Sequence, residues 1–300
     1  MNEIRLRPVS FDYLMLSFPL SLTLLTLVFA PVSQWFTLLP LNIVLLVIIL
    51  FTITIAQEPP RQALLIWRYW YPIVIVPIIY KHLGHYIHLI FPKSFDQTIV
   101  ALETRILGTP LNFWIPRLQT PWLTEIMHIA YAFYWVSIPI TAVLYWRLNQ
   151  RRAFQELVSG ILTVFFISYL IFIFFPVYGP RFYLAERLSI HFTGIWLTPT
   201  LRSIVQQGGL KGGAFPSSHV AVAVLNYFYL KVYYPRFAHR FFLPSVIMLS
   251  LGTIYGQFHY FTDVLVGIGL GIGGGVMGVR HLQRVVSLPI EATETEYLHL

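Results

Sequence analysis

The sequence predicts an all-α, polytopic membrane protein, a bundle of about eight transmembrane helices. Of its 300 residues, 57% are hydrophobic and only 11% are charged, whereas soluble domains carry roughly a quarter charged residues. The mean hydropathy is +0.68. A helix needs about 20 mostly apolar residues to cross a bilayer, and several such runs are present. These runs are continuous, so they do not fit the alternating segments of a membrane β-barrel.

Eight apolar spans account for the hydrophobic content. They lie at roughly residues 13–31, 37–56, 69–91, 122–146, 154–176, 217–234, 241–257 and 259–279. We expect the first to be retained as a span and not cleaved as a signal peptide, because the run is long and Pro31 would follow the cut. Spans one and two predict an N-terminal extension over residues 1–68, and the polar end predicts a solvated cytoplasmic tail over residues 281–300.

The distribution of basic residues predicts that both termini are cytoplasmic. The net charge is +8, and Lys and Arg concentrate in the segments that would then lie inside. The short outer loops, residues 32–36 and the loop around residue 258, contain neither, as the positive-inside rule requires. The positive charge is therefore attributed to membrane orientation and not to nucleic-acid binding. The absence of cysteine excludes thiolate catalysis and Cys-based zinc sites.

Two long connections then fall on the outer side, at residues 92–121 and 177–216. Loops of this length in compact proteins are usually functional. In the first, apolar residues recur at helical spacing between residues 95 and 118. This pattern predicts a helix that lies at the membrane interface.

The second connection ends in a glycine-rich segment at the outer start of the sixth span. It reads Gly208-Gly209-Leu210-Lys211-Gly212-Gly213-Ala214-Phe215-Pro216-Ser217-Ser218-His219. Glycines let a backbone approach a ligand closely, and the free N–H groups at a helix N-terminus bind anions. The segment therefore predicts a phosphate-binding site that contains a titratable histidine, and Gly213 and Lys211 are candidates for contacting the phosphate.

A second informative stretch, His259-Tyr260-Phe261-Thr262-Asp263, stands at the outer start of the eighth span. Positions i and i+4 share one helical face, so we expect Asp263 to hold one ring nitrogen of His259 and leave the other basic. Spans six and eight run in the same direction, which places His219 and His259 at the same depth. Two such histidines suit phosphoryl transfer, one as nucleophile and one as acid, without a metal or other cofactor.

These residues resemble the motifs of the type 2 phosphatidic acid phosphatase (PAP2) superfamily. That family has a Pro-Ser-Gly-His motif, similar to Pro216-Ser217-Ser218-His219 here. Its other motif is Ser-Arg, five residues, His, three residues and Asp, similar to the stretch that ends in His259 and Asp263. The likeness implies a PAP2-like catalytic membrane domain with a six-helix core over residues 69–280.

Two further segments resemble the inositol phosphorylceramide synthase-like branch of that superfamily. They are Tyr178-Gly179-Pro180-Arg181 and Leu102-Glu103-Thr104-Arg105-Ile106-Leu107-Gly108-Thr109-Pro110, where the branch more often has Asp in the place of Glu103. The resemblance implies a lipid phosphoester substrate within the membrane. It does not settle the oligomeric state.

The resemblance also implies the role of each site residue. His259 attacks phosphorus, Asp263 orients it, and His219 protonates the leaving oxygen. Arg181 binds the phosphate together with the region of Ser217 and Ser218.

This chain departs from the family pattern at two places. The Ser-Arg pair falls on Gly252 and Thr253, so one phosphate-binding arginine is missing, and Ser218 replaces the glycine before the histidine. The missing arginine favours a lipid headgroup transferase, whose substrates carry less charge, whereas the glycine-rich loop favours a phosphatase. The acceptor, water or an alcohol, stays open.

Other interpretations of the same residues are less specific. A lipid transporter or translocator that reuses the fold is the alternative function, although the polar residues cluster at one face and not at mid-membrane. An intramembrane serine protease would use Ser217 or Ser218. His82, His85 and His88 do not share one helical face and suit interface or packing roles. Gly267, Gly271 and Gly275 indicate close helix packing, and Glu103 and Glu125 suit structural roles.

Overall fold

The computed structural model describes residues 8–55, 62–188 and 192–287, and its regular structure there is helical. The helices are α1 (Ser10–Phe29), α2 (Val32–Ile55), α3 (Gln62–Leu83), α4 (Asp96–Leu107), α5 (Ile115–Leu118), α6 (Pro121–Arg147), α7 (Arg151–Phe174), α8 (Pro180–Tyr183), α9 (Ala185–Leu188), α10 (Thr198–Gly208), α11 (Ser218–Tyr233), α12 (Pro235–Phe237), α13 (Leu243–Tyr255) and α14 (Phe261–Ser287). The predicted all-α class is confirmed.

Seven helical segments among the described residues are long and apolar enough to cross a membrane. They are Ser10–Phe29, Val32–Thr54, Ala63–Leu83, Pro121–Arg147, Arg151–Phe174, Pro235–Tyr255 and Phe261–Val286. The predicted sixth span is α11, which has 16 residues and rises only about 24 Å. Because α6, α7, α13 and α14 surround it, α11 is a core helix that need not match the bilayer thickness.

Several predicted boundaries were wrong. The third span, predicted over residues 69–91, begins at Gln62 and ends at Leu83, where a series of turns takes over. The last helix passes the predicted end at residue 279 and continues to Ser287, so the predicted tail begins as helix. Residues 288–300 lie outside the described part of the chain.

The single interfacial helix predicted over residues 95–118 was also wrong. Gly108, with φ of 75°, ends α4, and a 3-10 turn at Leu111–Phe113 follows before α5. Helix α4 places its acidic residues inside, since Asp96 is 0% exposed and Glu103 1%. Of the periodic apolar residues on α4, Leu102, Ile106 and Leu107 are exposed, whereas Ile99 is buried. The buried face also carries the two carboxylates, which bind the loops of the site.

Helices α11 and α14 pack closely through glycines, as the sequence predicted. A Cβ atom at Gly267 would lie 2.6 Å from the carbonyl oxygen of Ser217, and one at Gly271 would lie 2.4 Å from that of Ala221. Such distances are too short for any side chain. The two helices that carry the candidate motifs are therefore in backbone contact.

A buried ion pair joins α1 to α3. The carboxylate of Asp12 accepts hydrogen bonds from both terminal nitrogens of Arg68, and the Tyr71 hydroxyl donates to it at 2.9 Å. Asp12 is fully buried and Arg68 is 4% exposed. Helix α1 is thus attached to α3 by charge as well as by apolar packing.

Asp12→Asn is expected to lower the free energy of unfolding by about 3–5 kcal/mol, because it leaves the buried guanidinium of Arg68 without its carboxylate. Thermal unfolding in detergent, followed by tryptophan fluorescence, would measure this loss. The double variant Asp12→Asn/Arg68→Met removes both charges and is expected to recover most of it. Equal melting temperatures for Asp12→Asn and the wild type would contradict the assignment.

Candidate active site

The two predicted histidines lie side by side. Their ring centroids are 5.6 Å apart, with His219 in the first turn of α11 and His259 just before α14. A backbone hydrogen bond links the two helix starts, because the Ser217 N–H donates to the carbonyl oxygen of Asp263 at 3.0 Å. The structure therefore brings together residues that are 40 positions apart in the sequence, as the parallel spans predicted.

His259 is held through its Nδ1 atom. This atom lies 2.9 Å from the carbonyl oxygen of Ala214 and 3.4 Å from Oδ2 of Asp263. Both neighbours are acceptors, so they keep the proton on Nδ1 and leave Nε2 with a free lone pair. The sequence predicted the Asp263 partner; the nearer backbone carbonyl has no side-chain signature and was missed.

Asp263 is itself held in place by a hydrogen bond from the backbone next to His259. Its Oδ2 accepts a hydrogen bond from the Tyr260 N–H at 2.8 Å, and its side chain is fully buried. This bond fixes the turn between His259 and α14. The carboxylate thus acts on the position of the imidazole through both the side chain and the backbone.

His219 is contacted by residues from α6 that the sequence did not indicate. The Tyr131 hydroxyl lies 3.3 Å from its Nε2 atom, and the Tyr134 ring packs edge-on at 4.3 Å between centroids. The Phe258 ring lies 4.3 Å from that of Tyr131. These contacts depend on how α6 packs against α11, so no local sequence motif predicts them.

Arg181, predicted to bind phosphate, lies on α8 beside the histidines. Its guanidinium donates to the carbonyl oxygen of Val205 at 3.2 Å and packs on the rings of Phe182 and Phe258. Burial lowers the pKa of this guanidinium from its usual value, but arginine stays charged at neutral pH. A buried cation beside the two histidines is suited to an anionic ligand.

Only some of the other predicted phosphate-binding residues line the cavity. Gly213 and Ser218 line the same cavity as the histidines. Ser217 is fully buried and serves as the N-cap residue of α11. Lys211 is exposed, and its ammonium lies 4.5 Å from the centre of the Tyr178 ring, so the structure does not place it among the residues that line the cavity.

Two carboxylates on α4 hold the loops around the site. Asp96 accepts hydrogen bonds from the N–H groups of Tyr178 and Gly179 at 2.7 and 2.9 Å. Glu103 accepts from the N–H and the hydroxyl of Thr262 at 2.7 and 2.9 Å, and burial raises the pKa of Glu103. The structural role predicted for Glu103 agrees with these contacts.

A second arginine approaches from α10, and the sequence did not single it out. Arg202 lies 3.3 Å from Nε2 of His128 and donates to the carbonyl oxygen of Gly256 at 3.4 Å. Burial, and secondly the charge of Arg181, lower the pKa of Arg202 to about 10. Glu125 accepts hydrogen bonds from the chain that leads into α10, including Ile195 N at 2.8 Å, which fits its predicted structural role.

The histidines open into a cavity of about 390 Å³ between α3, α6 and α7. Away from the histidines its walls are mostly apolar and aromatic, with Val76, Ile138, Ala142, Val158, Ile161 and Phe165 among them. Ala142 lies a helical rise of about 16 Å beyond Tyr131 on α6. The cavity therefore reaches from the site deep into the bundle.

The histidine triplet does not form a common site. His82 is buried and its Nε2 lies 3.0 Å from Oδ1 of Asn42, whereas Nδ1 of the exposed His88 lies 3.2 Å from the carbonyl oxygen of Phe91. Within the described ranges no three His, Cys, Asp or Glu side chains are grouped to hold a metal ion. These contacts agree with the packing roles expected for the triplet.

Comparison with known proteins identifies relatives of this chain. Residues 97–276 match the sequence profile of the family described as the PAP2 superfamily. A PA-phosphatase related-family protein of Dictyostelium discoideum is 26% identical over 201 residues, which are 58% of this chain and 34% of that protein. The chain thus spans about one third of the length of this relative. No solved structure matches it significantly.

Gly209→Ala is expected to weaken the binding of inorganic phosphate about tenfold or more, because charge-assisted hydrogen bonds contribute roughly 1.5–3 kcal/mol. The new methyl group would lie 2.1 Å from a terminal nitrogen of Arg181 and would displace it. Isothermal titration with phosphate measures the effect. Gly208→Ala, whose Cβ meets nothing within 4 Å, is expected to change the affinity less. Equal affinities in the two variants would argue against a phosphate contact by Arg181.

Proposed function

Because the chain belongs to the PAP2 superfamily, we propose that it catalyses metal-independent phosphoryl transfer from a lipid phosphoester through a phosphohistidine. The observation that carries the proposal is the pair of adjacent histidines, one held by Asp263 and Ala214, at the mouth of a deep apolar cavity. The phosphatase-type name of the Dictyostelium relative supports the same reaction class.

The geometry supports a two-step reaction. His259 attacks phosphorus with the lone pair of Nε2, a P–N bond forms, and the bond from phosphorus to the leaving oxygen breaks. His219 supplies the proton that the leaving oxygen needs. Arg181 and the N-terminus of α11 stabilise the charge on the remaining phosphate oxygens. In the second step His219 accepts a proton from the incoming hydroxyl, which attacks phosphorus and breaks the P–N bond.

The cavity supports a lipid as the substrate. Its polar end contains the two histidines and Arg181, and the rest lies between membrane-spanning helices with apolar side chains on its walls. Each buried methylene group contributes about 0.8 kcal/mol, so an aliphatic chain would be retained there while its phosphate reaches His259. A water-soluble phosphoester would leave these walls uncovered.

We place this chain in the inositol phosphorylceramide synthase-like branch as part of the proposal. Both segments that resemble the branch lie at the site, since Arg181 faces the cavity and Glu103 binds the start of α14. The acceptor is water in a phosphatase and a lipid alcohol in a transferase. Both acceptors use the same phosphohistidine, so product analysis with and without an added alcohol distinguishes them.

The proposal includes the orientation in the membrane. Arg147, Arg151 and Arg152 surround the short turn between α6 and α7, which the positive-inside rule assigns to the cytoplasm. His219 contacts Tyr131, which is a helical rise of about 24 Å from Arg147 on α6, so the histidines lie away from this turn. The site then faces the outer side, and both termini are cytoplasmic.

Release of inorganic phosphate from phosphatidic acid in detergent is expected to survive EDTA and to fall by at least about 10³-fold in His259→Ala, which removes the nucleophile. His239→Ala, at an exposed histidine that contacts Tyr227, is the matched control and is expected to retain activity. Activity that EDTA abolishes, or that His259→Ala retains, would contradict the mechanism. With no release from the wild type, transfer to a diacylglycerol or ceramide acceptor becomes the deciding assay.

Ala142→Phe is expected to lower kcat/KM for long-chain phosphatidic acid about tenfold while short-chain substrates react normally. The added ring fills the deep part of the cavity, and two unburied methylene groups correspond to about that factor. The control is Val143→Phe at the next position, where the side chain is 42% exposed on the outside of α6. An equal effect on all chain lengths would show that the lipid chain lies elsewhere.

A further inference from the structure

Tyr131 occupies a position in the site that the sequence motifs do not assign. Its hydroxyl lies 3.3 Å from Nε2 of His219, and the residue is 3% exposed while still lining the cavity. The Phe258 ring, adjacent to His259 in sequence, packs against the Tyr131 ring at 4.3 Å between centroids. The phenol is thus fixed between the two histidine-bearing segments.

Tyr131 can approach His219 closely because this chain departs from the family motif at position 252. Gly252 stands where the motif has serine, and a Cβ atom there would lie 2.5 Å from the carbonyl oxygen of Met127 and 3.1 Å from the backbone N of Tyr131. Any side chain at position 252 would push α6 away from α13. The glycine therefore admits the helix turn that carries the tyrosine to His219.

We propose that the Tyr131 hydroxyl relays the proton between His219 and the leaving oxygen, an inference that rests on the proposed function. When the bond from phosphorus to the leaving oxygen breaks, that oxygen takes the hydroxyl proton of Tyr131. The Tyr131 oxygen takes the Nε2 proton of the protonated His219 in the same step, so the phenol ends neutral. In the second step the proton of the incoming hydroxyl returns to His219 by the same path.

The proposal follows from the chemistry of the groups that meet. A phenol both donates and accepts a hydrogen bond, so it can pass a proton without holding a net charge, which a buried site disfavours. The Tyr131 hydroxyl already contacts Nε2 of His219, the ring nitrogen from which the proton leaves in this proposal. A relay through one hydroxyl lets His219 act on an oxygen that it does not touch directly.

The test compares leaving groups of different basicity. Tyr131→Phe is expected to lower kcat for phosphatidic acid, whose alkoxide leaving group needs a proton, on the order of 10²-fold, within the usual range for general acid catalysis. With p-nitrophenyl phosphate, whose leaving group departs without protonation, the expected change is less than about threefold. The matched control is Tyr145→Phe on the same helix, which also removes one buried hydrogen bond, to Tyr229, far from the site.

A second variant reaches the same hydroxyl from α13. Gly252→Ala is expected to displace Tyr131 and to lower kcat for phosphatidic acid selectively, and adding it to Tyr131→Phe is expected to cause little further loss. Equal losses with both substrates in Tyr131→Phe, or no loss with either, would overturn the relay. Wild-type protein that forms no phosphohistidine would instead defeat the proposed function, so the two failures are distinguishable.

Discussion

The site depends on the contact between α11 and α14. Gly267 and Gly271 bring the two backbones together, and the hydrogen bond from Ser217 N–H to the Asp263 carbonyl joins their first turns. Without this contact, the two helices could shift along their axes relative to each other, and His219 and His259 would no longer be adjacent. Because α11 is buried on nearly every face, its short length is tolerated, and the helix can begin at the level of the site.

The loops above this contact are held by carboxylates that have no chemical role in the proposed reaction. Asp96 binds the backbone of the loop that carries Arg181, and Glu103 binds the start of α14. Buried backbone N–H groups need acceptors, and α4 provides them. The same helix thus satisfies the polar groups of two separate loops and fixes Arg181 relative to the histidines.

A feature of the site could be predicted only where it leaves a signal in the sequence itself. His219 and His259 were predictable, because their spacing to neighbouring motif residues and the parallel direction of two spans are properties of the sequence. The Ala214 carbonyl was not, since every residue has one. Tyr131 was missed because its contact depends on the approach of α6, and the break within residues 95–118 was missed because the apolar period continues across it.

The missing motif arginine leaves a distinctive distribution of charge. Thr253 stands in its place, and its hydroxyl bonds to the backbone of its own helix, so positive charge must come from other elements. Arg181 supplies it within the cavity, while Arg202 lies behind, bonded to the Gly256 carbonyl. The charge of Arg181 contributes to lowering the pKa of Arg202, so the two guanidinium groups repel each other. The phosphate of the proposed substrate would reduce that repulsion. In the proposed reaction, these fixed charges are in place before the phosphate arrives, as electrostatic stabilisation of a transition state requires.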